Sequence, residues 1–282
     1  MNYRHAYHAG NHADVLKHVV LALVFEHLKK KDKPFAFLDA HGGVGRYDLH
    51  GVEAGKTGEW EGGVGKLATP FMADVEALLA PYRRAVAAEN PHGGLRYYPG
   101  SPVLAAHGLR ESDRILVNEL HPEDAEALRR EMGADRRVKT FAMDAGQAVK
   151  AVLPFTERRG VVLIDPPYEQ KDETEQAITM LVEGHRRFAT GVFMLWYPVK
   201  GLAFAETLVE RAKTLALPAT LQVELSVREA FEGGGLAGSG LIIINPPWKL
   251  KEELAVIVPA LAQRLGIGDW GRSVLGWLVP AK

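Results

Sequence analysis

Cysteine is absent from the 282 residues of this chain, which removes disulfides, thiolate metal sites and cysteine nucleophiles together. Net charge is nearly absent too. The 34 Lys and Arg stand against 35 Asp and Glu, for a formal charge of −1, so any contact with nucleic acid must come from a local patch rather than from the field of the whole molecule. No stretch approaches the roughly 18 consecutive apolar residues of a membrane span, and Met1-Asn2-Tyr3-Arg4-His5 lacks the apolar core of an export signal. The expectation is a cytoplasmic protein. Internal repeats and low-complexity tracts are also missing. What remains, 47% hydrophobic and 24% charged residues, is ordinary for one large globular domain with room for an insertion.

From Ala13 to Lys30 the apolar residues Val15, Leu16, Val19, Val20, Leu23, Val24 and Leu28 recur at three- and four-residue spacing. That spacing predicts an amphipathic helix, ended by Pro34. Phe35 to Leu38 reads as a short buried strand feeding a glycine-rich turn, Gly42-Gly43-Val44-Gly45. Residues 46–98 break the rhythm with six glycines between Gly51 and Gly65, a helical stretch around Phe71 to Val86, and Asn90-Pro91-His92-Gly93-Gly94. They read as a mainly helical insertion subdomain within a main domain formed by 1–45 and 99–282.

Beyond the insertion, strands are predicted at Arg114 to Asn118, Val138 to Met143, Gly160 to Ile164, Val192 to Trp196 and Leu221 to Val227. Helices are predicted at Pro122 to Met132, Glu173 to Phe188 and Phe204 to Leu215. A glycine loop, Gly233-Gly234-Gly235, precedes a last strand, Leu241 to Ile244, placed as a hairpin partner. Uninterrupted apolar runs such as Gly160 to Ile164 belong in a parallel sheet covered on both faces. The pattern is α/β, with a mostly parallel seven-stranded sheet whose last strand is antiparallel.

Asp39-Ala40-His41-Gly42-Gly43-Val44-Gly45 puts an acid, a histidine and three glycines at the carboxyl end of the first strand, where open α/β sheets bind ligands. Neither a Walker loop nor the Gly-x-Gly-x-x-Gly dinucleotide fingerprint fits, and by itself the segment reads equally as a plain tight turn. The next strand ends add to it: Arg114 to Asn118 runs into Glu119, and Val138 to Met143 into Asp144. The first carboxylate can accept two hydrogen bonds from a ribose diol; the second can accept from an adenine amine. A glycine turn and two acids on successive strands suit an adenosyl cofactor without phosphates, S-adenosylmethionine.

Val161-Val162-Leu163-Ile164 then delivers Asp165-Pro166-Pro167-Tyr168 to the sheet edge. Two prolines fix the backbone and remove its donors, leaving a rigid array of acceptors. Adenine N6 is a poor nucleophile because its lone pair is delocalised into the ring. The Asp165 carboxylate and the Pro166 carbonyl can accept both N6 hydrogens and localise that lone pair toward a methyl sulfonium, so that orientation and charge placement supply the catalysis. Tyr168 offers a face for stacking on an unstacked base. Asn245-Pro246-Pro247-Trp248 is a rival for this chemistry, but it follows the last strand instead of the fourth, and a structural or pocket-wall role is expected of Asn245.

Seven of the 11 histidines lie in the first 50 residues, and His5, His8 and His12 have spacings a metal could use. No carboxylate or further ligand completes such a site, and none is assigned. Residues 1–34 carry six Lys or Arg against three Asp or Glu. The run Lys29-Lys30-Lys31 reads as a solvated helix end, while Tyr3, Arg4 and His5 read either as an RNA-contacting arm or as a disordered one.

Long stretches of the chain resemble one family: Tyr3-Arg4-His5, His8 through His18, Tyr97-Tyr98-Pro99-Gly100-Ser101-Pro102, Asn118-Glu119-Leu120-His121-Pro122, Ile164 through Tyr168 and Ile244 through Lys249. These are similar to the RlmJ-type bacterial 23S ribosomal RNA adenine N6-methyltransferases, over nearly the whole length. The resemblance implies a Rossmann-like methyltransferase fold with a small helical insertion, acting on naked or incompletely assembled 23S rRNA; a monomer without a protein partner is the expectation. It further implies cofactor contacts at Lys17 or His18, His41, Ser101, Glu119, Asp144 with Ala145, and Asp165, and a substrate contact at Tyr3; with the arm and the stacking face above, His5 and Tyr168 are also expected at the substrate. Competing readings are a DNA adenine or protein amine methyltransferase, and a non-catalytic RNA-binding protein that kept the fold.

Overall fold

Short apolar segments too rich in Val, Ile and Phe to be exposed on either side have one economical arrangement, a sheet covered by helices on both faces. In the computed structural model, which describes residues 4–170 and 172–281 apart from the side chain of Leu202, they form an eight-stranded sheet. Its strands are β1 (Ala36–Asp39), β4 (Arg114–Asn118), β5 (Val138–Phe141), β6 (Gly160–Ile164), β7 (Val192–Val199), β8 (Thr220–Ser226), β9 (Gly238–Ile244) and β10 (Arg272–Val279), in the order β10-β8-β9-β7-β6-β1-β4-β5. A separate ribbon pairs β2 (Arg46–Asp48) with β3 (Tyr97–Pro99). The five strands from β7 to β5 are mutually parallel, and β9 runs antiparallel between β7 and β8. The predicted hairpin of the last two strands is therefore present. One strand beyond the expected seven, β10, closes the edge against β8. It was illegible because its face is half solvated: Arg272, Ser273, Val274 and Trp277 are exposed, and the segment lacks an apolar run.

Both faces are covered. On β1, Phe37 packs into one core while Ala36 and Leu38 pack into the other, the period of two of an extended chain. The first core is closed by α1 (His12–Lys29), α4 (Ala73–Ala88), α5 (Ser101–Gly108) and α10 (Leu250–Leu265), and the second by α7 (Ala145–Val152), α8 (Glu173–Arg187) and α9 (Leu202–Thr214). α6 (Pro122–Met132) follows β4 and packs on β5.

Asn11 caps α1, its side-chain oxygen accepting from the amides of Ala13 and Asp14. The helix is not the one-sided element its spacing predicts. Every residue from Ala13 to Phe25 is buried, because α4 and α10 cover the side turned away from the sheet. Asp14, Lys17 and His18 are buried with it. Residues 46–98 leave and return through the β2–β3 ribbon, and between them α2 (Val52–Thr57), α3 (Glu59–Gly62) and α4 follow one another. Leu79, Tyr82 and Ala85 of α4 lie in the same core as α1.

Candidate active site

Five parallel strands end on one side of the sheet, and there a cavity of about 890 Å³ opens between the loops. It lies where an open α/β sheet places its ligands and is large enough for a cofactor and a base together. The turn after β1 forms its floor. A Cβ on Gly42 would come within 2.2 Å of Val117 Cγ1, and Gly43 takes φ +60°, so only glycine lets this backbone lie so close to β4. The Gly43 amide donates to Glu119 Oε2 and the His121 amide to Glu119 Oε1, each at 2.8 Å. The carboxylate is thus oriented by one donor on each oxygen and keeps further lone pairs for a diol. Burial raises its pKa.

Asn118 joins the strand ends. Its Nδ2 donates to the carbonyls of Ala40 (3.1 Å) and Met143 (2.9 Å), and its Oδ1 accepts from the Met143 amide at 3.2 Å. One amide side chain thereby fixes the turn, Glu119 and Asp144 relative to one another. Asp144 caps α7 through the Gln147 amide at 2.9 Å. Asn118→Ala should cost about 1–3 kcal/mol through the stranded backbone groups and weaken cofactor binding; urea denaturation and calorimetry read the two effects.

Asp39 is fully buried. It accepts from Ser101 Oγ at 2.5 Å and from the His41 amide at 3.1 Å, and burial pushes its pKa up to about 6 despite those bonds. For an acid whose pKa is raised on folding, the contribution to stability is complete below the unfolded value near 3.8 and is lost as pH rises through about 6. A shift of roughly two units makes this worth up to about 3 kcal/mol. Wild-type stability should fall between pH 4 and 6 by an amount that Asp39→Asn abolishes, as measured by denaturation at several pH values.

The reacting side is built on β6 and α1. Lys17 Nζ lies 2.5 Å from Asp165 Oδ2 and 2.9 Å from Asp14 Oδ1. Burial acts to lower the Lys17 pKa, but Asp14 and Asp165 outweigh it and hold it well above the ordinary lysine range. Asp14 remains ionised in spite of its burial, held by His5 and Lys17, and it also accepts from His5 Nε2 and the Gly10 amide at 2.9 Å each. The Asp165 amide donates to His41 Nδ1 at 3.2 Å. Burial lowers the His41 pKa to about 4, so the ring is neutral, accepts at Nδ1 and carries its proton at Nε2. His18, lowered to about 3 by burial, faces the hydroxyl of Tyr98 through Nδ1 at 2.9 Å.

Of the residues expected from the sequence, Lys17, His18, His41, Ser101, Glu119, Asp144, Ala145, Asp165, Pro166, Tyr168 and His5 all line this one cavity, while Tyr3 lies outside the described residues. The structure gives Tyr168 more support than a free stacking platform. Its hydroxyl donates to the Trp196 carbonyl at 2.7 Å, and its ring packs on Trp196 and Phe204 while still bordering the cavity. Of the other arm residues, Arg4 pairs with Glu123, and His5 lies edge-on to Tyr47. His12 is half-buried and outside the cavity lining, and His8 contacts Glu59. Among the described residues no group of three His, Asp or Glu is arranged to hold a metal ion. Asn245 is distant. Because β9 runs antiparallel, its carboxyl end lies at the opposite sheet edge, where Asn245 donates to the carbonyls of Ala189 and Gly191. Sequence reasoning missed Asp14, Asn118 and Glu59; the opposite charges of Asp14 and Lys17, three residues apart on the predicted helix, were the legible sign of the first.

The donor set suits a cationic, phosphate-free ligand. Among the described lining residues there are 11 Asp or Glu, three Lys and no Arg, and Lys17 is occupied by two carboxylates. A polyphosphate would be repelled, whereas a sulfonium would be welcome.

The model of the family described as "Ribosomal RNA large subunit methyltransferase D, RlmJ" matches residues 32–279. The protein named ribosomal RNA large subunit methyltransferase J of Escherichia coli is 42% identical over 280 residues, covering 99% of both chains. The protein of the same name in Haemophilus influenzae is 43% identical over 285 residues, again across 99% of each chain. Among solved structures, a Legionella pneumophila protein superposes with a TM-score of 0.85 at 30% identity, covering 96% of this chain and 98% of its own. The fold, the cavity at its strand ends and these full-length similarities together place the chain in the RlmJ family of ribosomal RNA large subunit methyltransferases.

Proposed function

We propose that the protein transfers the methyl group of S-adenosylmethionine to the N6 amine of an adenine in 23S rRNA. The observation that carries the reading is Asp165 at the carboxyl end of β6, one oxygen tied to Lys17 and the Asp165-Pro166-Pro167-Tyr168 segment lining the cavity. S-adenosylmethionine, when bound, supplies an electrophilic methyl carbon on a sulfonium. Glu119, His41, Ser101, Asp144, Ala145 and His18 are the residues that would hold it. The chain's own task is to present the amine. Lys17 engages Asp165 Oδ2 and leaves Oδ1 to accept one N6 hydrogen, while the Pro166 carbonyl accepts the other. Both bonds withdraw the lone pair from the ring and aim it at the donor. His41 anchors the Asp165 amide so that the acceptors keep their positions without reorganising. Tyr168, with Tyr3 and His5 from the amino-terminal arm, completes the base site.

A base recessed among strand-end loops has to leave its stack, so single-stranded or locally opened RNA, free or incompletely assembled and met in the cytoplasm, is the acceptor. Purified protein with methyl-labelled cofactor should label 23S rRNA fragments but not duplex DNA or protein offered in parallel, and nuclease digestion should return N6-methyladenosine. Label found only in DNA or protein rejects the reading, and a chain that binds RNA but gives no calorimetric signal with the cofactor would be a binding protein.

A further inference from the structure

The cavity that would take a base is strongly acidic, and Arg4, the residue before the lining His5, is paired with Glu123. A polyanion gains little attraction there, so affinity for a long RNA has to be supplied elsewhere on the surface. The opposite edge of the sheet, where the parallel strands begin, carries the two sequence features that the reaction leaves unused: Asn245-Pro246-Pro247-Trp248-Lys249 and the lysine run after α1. The fold brings them together. α1 descends from the cavity and ends at Lys29, while α10 starts at the same edge, and His27 Nε2 meets Glu253 Oε2 at 2.8 Å between them. Lys30, the C-cap of α1, lies three residues from that contact, and Lys249, the N-cap of α10, lies four residues from it.

This edge is a built surface. Arg159 donates to the carbonyls of Leu28 (2.8 Å) and Lys33 (2.5 Å), and Arg110 to those of Lys31 (3.1 Å) and Lys33 (2.8 Å). Two guanidinium groups thus grip the backbone of the 28–33 segment, leaving Lys30, Lys31 and Lys33 exposed. Across the α1–α10 contact, Trp248 is 86% exposed, and Lys251 lies over the ring of Trp277, itself 37% exposed, with Nζ 5.8 Å from its centroid. Among the described residues none of Lys31, Lys33, Lys249 and Lys251 is engaged by a carboxylate. Asp32 and Glu252 are the exposed acids nearby in sequence, so the five lysines 30, 31, 33, 249 and 251 retain a positive excess. A solvated indole flanked by lysines is the combination that captures a single-stranded nucleic acid, bases stacking on the ring and phosphates paired with the ammonium groups.

We infer that this edge is a second RNA-contact site, remote from methyl transfer, which holds single-stranded rRNA flanking the target through Trp248 stacking and phosphate contacts from Lys31, Lys249 and Lys251. The inference rests on the proposed RNA methyl transfer, and the test separates the two. Methylation is measured on a short hairpin containing the target adenine and on long naked 23S rRNA. Label in the short hairpin by the wild type tests the activity alone. Trp248→Ala should leave hairpin kinetics unchanged, which also certifies folding, and raise KM for long rRNA roughly tenfold, with Trp248→Phe restoring most of it. Lys31→Ala, Lys249→Ala and Lys251→Ala combined should reduce the slope of log binding against log salt for long rRNA by about two to three. Unchanged KM and slope on long rRNA, with the hairpin methylated normally, overturn the inference. So does a sedimentation shift from dimer to monomer on Trp248→Ala, because the indole would then be covered by a second copy of the chain.

Discussion

Asp165→Ala should lower methyl transfer at least 10²- to 10³-fold, the range lost when a preorganised polar group facing a developing charge is removed, while the protein stays folded and binds cofactor nearly normally. The stability half of this expectation follows from the partners of Lys17. Its ammonium keeps Asp14 at 2.9 Å when Asp165 is gone, so no charge is stranded in the core. Asp165 itself is 15% exposed at the cavity wall, and its removal opens space toward solvent instead of leaving a sealed void. Labelled-cofactor kinetics on an RNA fragment, with calorimetry and a melting curve on the same preparation, measure the three quantities. Transfer within about fivefold of wild type would show that the amine is presented by other groups. Asp165→Asn sharpens the result. It keeps the size and one acceptor oxygen but loses the charge facing Lys17, so activity close to that of Asp165→Ala assigns the effect to the carboxylate and not to packing.

Much of this site could be read from the chain because strand ends are local. An apolar run followed by Glu119 or Asp165 states both the strand and the acid that follows it, and parallel order then collects those ends at one edge. Antiparallel direction was the deciding fact for Asn245, whose motif looks equivalent in sequence but arrives at the far edge on β9. Long-range relations were not legible. That α1 would be enclosed on all sides depended on α4 from the insertion and α10 from the carboxyl-terminal part, neither of which leaves a mark within 13–30. The bridging role of Asn118 was likewise hidden, since its acceptors Ala40 and Met143 lie 78 and 25 residues away. β10 escaped notice because an edge strand with one solvated face carries only half the apolar signal.

Lys17→Met is expected to differ from Asp165→Ala although it cuts the same bridge. Methionine matches the length of the stem but leaves Asp14 and Asp165 facing each other without the cation, and Asp14 is 1% exposed. His5 and the Gly10 amide still satisfy the other oxygen of Asp14, so the charge is only half abandoned. Breaking a buried pair from one side costs about 3–5 kcal/mol, and the fold should lose an amount near the lower end of that range at neutral pH. The loss should shrink on acidification. Asp14 has its pKa held well below the ordinary carboxylate value in the wild type, a contribution present above the unfolded value near 3.8 and lost as pH falls through the folded one. Without Lys17 that depression relaxes, so the wild-type and Lys17→Met denaturation curves should converge below about pH 4. Activity should vanish together with stability, since an unheld Asp165 no longer fixes the amine. Double-mutant cycles with Asp14→Asn then apportion the effect: if Lys17→Met destabilises the Asp14→Asn protein as much as the wild type, the buried Lys17–Asp14 pair is not what the lysine is holding.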